Sequence, residues 1–159
     1  MTYPAPRYHG DKGETSATYR PDSSEPDFSY ENGTRVHYLA TGASTGGKFG
    51  LYRWEMSATP NGPSPHFHRS ISESFYVLSG AVRIFDGTTW LDTSPGDWVH
   101  VPEGGVHGFR NESGERASML IHFSPGAPRE GYFENTPRLA EMTDEERLAF
   151  FIEHDTYWV

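Results

Sequence analysis

Closely spaced turn residues divide most of this 159-residue chain into short segments. The chain has 17 glycines and 12 prolines, and between residues 34 and 125 they separate runs rich in β-branched and aromatic side chains. Turns at roughly every 8–12 residues are typical of antiparallel β-sandwiches and small barrels. The pattern therefore predicts an all-β domain of about eight to ten strands and disfavours a bundle of long helices.

Eight of these strands can be placed individually. They are predicted at residues 34–41, 49–58, 73–78, 81–85, 89–91, 98–101, 106–110 and 117–123. Asp86-Gly87 is a strong signal for a hairpin turn between two of them. We accordingly divide the chain into an N-terminal arm (1–33), a β-barrel (34–125) and a C-terminal extension (126–159).

The N-terminal arm has a different composition from the barrel. It contains no leucine, isoleucine or valine, and four prolines interrupt it. Such a segment cannot form a hydrophobic core of its own. We expect it to lie over the domain or over a partner subunit, with its tyrosines as anchors; disorder of about the first ten residues is the alternative.

The C-terminal extension carries the signals of a helix. Thr143 and Glu146 have the spacing of a capping box, which marks a helix N-terminus. Leu148, Phe151 and Ile152 follow at the spacing of one helical face. The sequence therefore predicts a short helix over about 144–154, which would close the barrel or a dimer edge.

Charge and composition exclude several classes of function. Lys and Arg number 13 against 22 Asp and Glu, a net charge of -9, which disfavours a nucleic-acid partner. No segment approaches the roughly 20 apolar residues of a membrane span, and the N-terminus has no apolar signal region. The chain contains no cysteine, so disulfides and thiolate metal sites are excluded. We expect a cytoplasmic protein without nucleic-acid or membrane partners.

Three histidines and one glutamate have the spacing of a metal site. His66 and His68 are two residues apart, so on a strand both side chains point to the same face. Glu73 and His107 follow on later predicted strands. Imidazole and carboxylate ligands suit a divalent transition metal such as Ni, Fe, Mn, Co, Cu or Zn. Four such ligands would leave one or two positions of the ion open for substrate.

The residues around these four form two motifs. The first reads His66-x-His68, four residues, Glu73, six residues, Gly80. The second reads Gly96, five residues, Pro102, one residue, Gly104, two residues, His107, three residues, Asn111. Both resemble the paired motifs of the cupin superfamily. The first departs from the family pattern at Pro60, where a glycine is usual, and Gly62 follows two residues later.

The cupin resemblance implies a fold and a set of site residues. The expected fold is a cupin jelly-roll β-barrel, here with a short C-terminal helix. The metal ligands would be His66, His68, Glu73 and His107. We expect Phe75, Phe85 and Phe109 to contact the substrate, and the other five histidines to lie outside the site.

Within the superfamily, the chain looks most similar to quercetin 2,4-dioxygenase-like enzymes. That resemblance implies a quercetinase-like oxidoreductase with dioxygen as co-substrate and a small aromatic or phenolic substrate such as a flavonol. Glu73 would take the proton of the flavonol hydroxyl, and ring opening would release carbon monoxide. Two alternatives stay open: a metal-dependent polyketide cyclase or isomerase of the cupin type, and a non-catalytic ligand-binding cupin. A homodimer is expected in each case.

Overall fold

Eleven strands, two α-helices and one 3-10 helix make up the regular structure in a computed structural model that describes residues 1–159. The strands are β1 (Phe28–Ser29), β2 (Arg35–Ala40), β3 (Gly50–Met56), β4 (His66–Phe67), β5 (Ser72–Ser79), β6 (Val82–Phe85), β7 (Trp90–Thr93), β8 (Trp98–Val101), β9 (Gly108–Arg110), β10 (Ala117–Ser124) and β11 (Tyr157–Trp158). The helices are α1 (Arg129–Asn135), the 3-10 helix (Thr136–Glu141) and α2 (Asp144–Glu153). The prediction of an all-β domain with a short C-terminal helix is confirmed.

The strands form three antiparallel sheets. The largest has the order β1-β2-β3-β10-β5-β8, the second β7-β6-β9, and the third pairs β11 with β4. Two isolated backbone bridges, Asn61 to Asn111 and His66 to His107, connect the β4 segment to the segment that contains β9. The order of strands along the chain therefore differs from their order in space, and residues far apart in sequence become neighbours.

The core follows the two-residue alternation of the strands. In β3 and in β10, buried and half-buried residues alternate along the whole strand. The two strands pair from Gly50 opposite Phe123 to Met56 opposite Ala117. Sixteen buried hydrophobic residues form one continuous cluster. The predicted strands match these elements to within a few residues, and the alternation explains why they were visible in the sequence.

Three strands, helix α1 and the 3-10 helix were not predicted. β1, β4 and β11 are two residues each, too short for any periodicity to be detected. Helix α1 has only seven residues, and its N-cap, Pro128, provides no side-chain hydrogen bond. These elements depend on tertiary contacts, because an isolated helix of this length is unstable in water.

The predicted helix is present as α2, and both hydrogen bonds of the capping box are formed. The Thr143 hydroxyl accepts from the Glu146 backbone N–H, and the Glu146 carboxylate accepts from the Thr143 backbone N–H at 2.8 Å. The helix begins and ends close to the predicted limits. No helix in the structure has the length and apolar character that crossing a membrane requires.

The packing face of α2 differs from the predicted one. Leu148 and Ile152 are 61% and 51% exposed, although the sequence placed them on the apolar face. Of the predicted face, Phe151 does pack, with its ring 5.3 Å from that of Trp158, and Phe150, outside that face, lies 5.6 Å from the ring of Tyr132. No residue of α2 is fully buried, so periodicity predicted its packing face only in part.

The N-terminal arm contains neither helix nor strand before β1. Tyr3, Tyr8 and Tyr19 are 100%, 50% and 85% exposed, so they do not anchor the arm to this chain. Phe28 and Tyr30, at its end, pack against the core with their rings 4.9 Å apart. Covering of a partner subunit by the arm, and the homodimer itself, stay predictions.

Gly62, which follows the departure from the family pattern, allows its loop to approach β9 closely. Its φ is +137°, and a Cβ at this position would lie 1.9 Å from the carbonyl oxygen of Phe109. We expect Gly62→Ala to lower the free energy of unfolding by more than about 2 kcal/mol, because both clash and backbone strain oppose it. Gly46→Ala is the control: its φ is +61° but no atom lies within 4 Å.

For Gly46→Ala we expect a loss of only about 1 kcal/mol, since backbone strain acts alone. Urea denaturation of both variants at unchanged m-value measures the difference. If both variants lost the same free energy of unfolding, the close approach of Gly62 to Phe109 would not contribute to stability.

Candidate metal centre and its cavity

The structure brings the four predicted ligands together from three parts of the chain. One ligand atom from each of His66, His68, Glu73 and His107 lies within 4.8 Å of the other three. All four residues are at most 5% exposed. The backbones of His66 and His107 are paired directly, with both N–H···O distances 2.8 Å. Two of the four ligand residues are therefore held together by backbone hydrogen bonds between segments that are distant in the sequence.

Strand geometry accounts for the arrangement. His66 begins β4, and His68 lies one residue beyond its end, so both imidazoles point the same way. Glu73 is the second residue of β5 and faces inward between Phe123 of β10 and Val101 of β8. The prediction that the His-x-His pair shares one face is confirmed.

Backbone carbonyls orient all three imidazoles. Each Nδ1 is hydrogen-bonded to a carbonyl oxygen, which can only accept, so Nδ1 carries a proton and Nε2 is the nitrogen directed at the cluster. In chain order the acceptors are Ser64, Asp155 and Gly105, at 2.9, 2.5 and 2.9 Å. This outer support is the arrangement that fixes metal-binding histidines in proteins.

The distances around Glu73 fit a shared cation. Its Oε2 lies 3.1 Å from Nε2 of His68 and 2.9 Å from Nε2 of His107. Two donor atoms that each lie about 2.1 Å from one ion, at a right angle, are about 3.0 Å apart. Because Nδ1 of each ring is held by a carbonyl, Nε2 is the nitrogen that would bind an ion in this space. The donor set thus fits a divalent transition metal, and the absence of thiolates favours an open site over a closed structural one.

The electrostatics of the cluster are those of a buried carboxylate among imidazoles. Burial, with His107 nearby, lowers the pKa of His66 to about 4. Burial alone would raise the pKa of Glu73, but the charge and hydrogen bonds of His107 and His68 hold it well below the usual range. Burial opposes protonation of His107 too, but Glu73 keeps the pKa of His107 above its ordinary value. Glu73 is therefore ionised near neutral pH.

The last residues of the chain fasten this cluster from outside. The Asp155 carboxylate accepts hydrogen bonds from the backbone N–H groups of Arg69 and Ser70, at 2.9 and 2.8 Å, and from the Ser70 hydroxyl at 2.6 Å. Its carbonyl oxygen holds His68, as described above. β11 pairs with β4 immediately afterwards. We call residues 154–159 the C-terminal strap.

A cavity of about 260 Å³ opens onto the cluster. His66 and Glu73 line it, so a molecule bound in the cavity would contact the metal site directly. Seven of its lining residues are Phe, Tyr or Trp, and they come from the end of the N-terminal arm, the barrel and the C-terminal extension. The aromatic lining residues are Tyr30, Trp54, Phe109, Phe123, Tyr132, Phe133 and Trp158.

Of the three phenylalanines predicted to contact substrate, the structure places one in the cavity wall. Phe109 lines the cavity. Phe75 does not: it is fully buried in the core, with its ring 6.0 Å from that of His107. Phe85 does not line it either, because in β6 the inward positions alternate with it and its ring packs on Trp90 at 5.4 Å. The structure thus places Phe75 and Phe85 outside this cavity, and contact of the three phenylalanines with substrate stays a prediction.

The other five histidines lie outside the cluster, as expected. Each has a local environment of its own, either solvent or contacts away from the four ligand atoms. They are His9, which is exposed, His37 beside Arg53, His100 beside Ser74, His122 against Phe49, and His154 against Phe150.

Sequence reasoning missed three residues that shape the site: Arg129, Asp155 and Trp158. All lie in the C-terminal extension, outside both motifs. Arg129 and Trp158 line the cavity, and the Trp158 ring lies 5.2 Å from the His66 ring. No local pattern distinguishes them, since each acquires its role by folding back onto the barrel.

The central part of the chain matches a known protein family and parts of two known proteins. Residues 53–123 match the Cupin_2 family, described as a cupin domain. An uncharacterized protein of Aquifex aeolicus is 36% identical over 61 residues, 38% of this chain and 50% of that protein. The quercetin 2,3-dioxygenase of Bacillus subtilis is 35% identical over 48 residues, 30% of this chain and 14% of the enzyme. The matches thus span half or less of these relatives.

Solved structures support the fold over a larger share of the chain. KdgF from a Halomonas species superposes with a TM-score of 0.62, covering 73% of this chain and 99% of that one. The sequence identity is 18%, so the likeness extends to the fold alone. The shared architecture is a jelly-roll β-barrel, and in this chain the two motif-bearing segments are bridged at His66 and His107.

Proposed function

Since residues 53–123 match a cupin domain and the chain has the fold of cupin proteins, we propose that it is a metal-dependent dioxygenase that cleaves a flavonol or a related phenolic compound. The observation that carries the proposal is the aromatic cavity that opens directly onto the buried three-histidine, one-glutamate cluster. The partial match to a quercetin 2,3-dioxygenase supports the same reaction class.

His66, His68, Glu73 and His107 would hold the ion, each histidine through the Nε2 that its backbone carbonyl leaves free. A bound divalent transition metal supplies a Lewis-acidic, oxygen-reactive position for substrate hydroxyl and dioxygen. The protein's part is to orient the four ligands and to keep the position dry, as their burial indicates.

The cavity walls would orient a flat substrate. Aromatic rings from different elements, such as Phe109 of β9 and Phe133 of α1, offer surfaces against which a planar ring system can pack. Burial of the substrate between them would exclude water from the reacting atoms and direct its hydroxyl toward Glu73.

Glu73 is the residue that would move a proton. It lines the cavity and is held ionised by the neighbouring histidines. Its carboxylate would accept the proton of the flavonol hydroxyl and leave an electron-rich anion for reaction with dioxygen. Both oxygen atoms enter the product, two ring bonds break, and one carbon leaves as carbon monoxide.

Oxygen consumption tests the proposal. Protein reconstituted separately with Ni, Co, Mn and Fe is supplied with quercetin, and oxygen uptake and carbon monoxide are measured. We expect uptake with at least one metal and none after chelator treatment, with a product that has gained two oxygen atoms and lost one carbon monoxide. No uptake with any of the four metals would overturn the dioxygenase proposal. A product of unchanged mass, or one that has lost water, would indicate a cyclase or isomerase instead.

A further inference from the structure

Arg129 is a buried cation without an acidic partner. The residue is 4% exposed, and none of the ion pairs in the structure includes it. Its Nη1 donates one hydrogen bond, to the backbone carbonyl of His154 at 2.6 Å. Its Nε is buried and has no hydrogen-bond partner. A guanidinium carries five N–H donors, so most of its hydrogen-bonding capacity is unused.

Aromatic rings surround this guanidinium. Its Cζ lies 4.3 Å from the ring centre of Tyr132, 5.2 Å from Phe123 and 5.7 Å from Phe133. Such contacts attract a cation, but they do not replace the strong acceptors that a buried charge needs. A guanidinium remains charged at all ordinary pH values. Burying it unpaired is therefore costly, and a buried group of this kind requires an explanation.

The explanation lies in the cavity. Arg129 lines the same cavity as His66 and Glu73, so a ligand that fills it faces the metal cluster and the guanidinium at once. Arg129 is the one arginine or lysine among the lining residues. A single planar cation matches a carboxylate, which is planar and carries one negative charge, in geometry and in charge. A phosphate dianion would call for more donors than this wall offers.

We propose that Arg129 binds a carboxylate of the substrate, so that within the phenolic class the preferred substrate is one that carries a carboxylate as well as the hydroxyl. The inference rests on the proposed function in one respect, that the cavity is the substrate site. In this arrangement the hydroxyl points to Glu73 and the carboxylate to the guanidinium, with the aromatic ring between the cavity walls. Arg129 is then a determinant of specificity.

Two probes of the same shape test this role: 4-hydroxybenzoate and its neutral analogue 4-hydroxybenzamide. In each probe the hydroxyl and the carboxylate or amide group are at opposite ends of the ring, so the two groups cannot both bind the same metal ion. Binding is measured by calorimetry in the zinc-loaded and in the metal-free full-length protein. We expect the carboxylate to bind about tenfold to a hundredfold more tightly than the amide, with the preference present in both forms.

Variants then assign the preference to Arg129. Arg129→Met should abolish it, Arg129→Lys should retain part of it, and Arg110→Met, which removes an arginine from the outer surface, should leave it unchanged. Equal affinities of the two probes in the wild-type protein would overturn the inference, even if no variant folds. A preference that survives in folded Arg129→Met would overturn it equally.

The outcome is separable from that of the proposed reaction. Suppose that the protein prefers the carboxylate probe and that Arg129→Met loses this preference: the role of Arg129 is then supported, whether or not oxygen is consumed. Absence of oxygen uptake with quercetin and with 4-hydroxybenzoate would overturn the dioxygenase proposal alone. Oxygen uptake with quercetin in a protein that binds both probes equally would support the dioxygenase and overturn the role of Arg129.

Discussion

Replacement of Glu73 by glutamine is expected to reduce oxygen uptake with quercetin by about a hundredfold to ten-thousandfold, the usual contribution of a positioned general base. Glutamine has nearly the same shape but cannot take up the hydroxyl proton. The three imidazoles keep their backbone partners in this variant, because none of those carbonyls belongs to Glu73. Metal content should therefore fall much less than turnover does.

Elemental analysis of the purified variant and initial rates of oxygen uptake give the two quantities from one preparation. Glu112→Gln is a suitable control, since Glu112 pairs with Arg83 and Arg110 at the surface, away from the cluster. A parallel loss of metal and turnover in Glu73→Gln would contradict the role of base and leave Glu73 as a ligand only.

Replacement of Asp155 by glycine should weaken metal binding by about tenfold to a hundredfold, as loss of an outer partner of a metal ligand does. Asp155 has a φ of +50°, a conformation that glycine adopts without strain. The substitution thus retains the turn but removes the three hydrogen bonds, two from backbone N–H groups and one from the Ser70 hydroxyl, that hold Arg69 and Ser70 beside His68. Greater freedom of the strap would misplace the carbonyl that orients the His68 ring.

Competition with a chromophoric chelator measures the affinity, and thermal melting of the metal-free protein measures stability separately. Asp155→Asn provides the matched comparison: it tolerates the positive φ, retains one acceptor oxygen and should give an intermediate loss. Unchanged metal affinity in Asp155→Gly together with a lower melting temperature would show that the strap stabilises the fold without orienting the site.

The strands and the candidate ligands could be predicted because they depend on local order in the chain. In β3 and β10, every second residue points to the same face, so the alternation of side chains along the strand itself places the buried residues together. The spacing of His66 and His68 determines their common direction in the same way. The four ligand residues stand in two motifs, so their convergence followed from the resemblance to a family.

The cavity could not be predicted, since its walls come from segments with no pattern in common. Phe85 and Phe109 are both aromatic residues on short strands, yet Phe109 faces the cavity and Phe85 packs on Trp90 outside it. A change of one position in where a strand begins reverses the direction of every side chain in it. Strand limits read from sequence do not have that precision.

The fold class, the capped C-terminal helix and the residues of the His/Glu cluster were predictable, because each depends on spacing within a short stretch or on a recognisable motif. That Arg129, Asp155 and Trp158 belong to the site became visible in the folded chain alone. These residues contact the site about 50 to 90 positions earlier in the sequence, through packing that no local periodicity encodes. Backbone geometry sets the relative directions of side chains only within one strand or helix, whereas a cavity is formed by contacts between residues that are distant in the sequence.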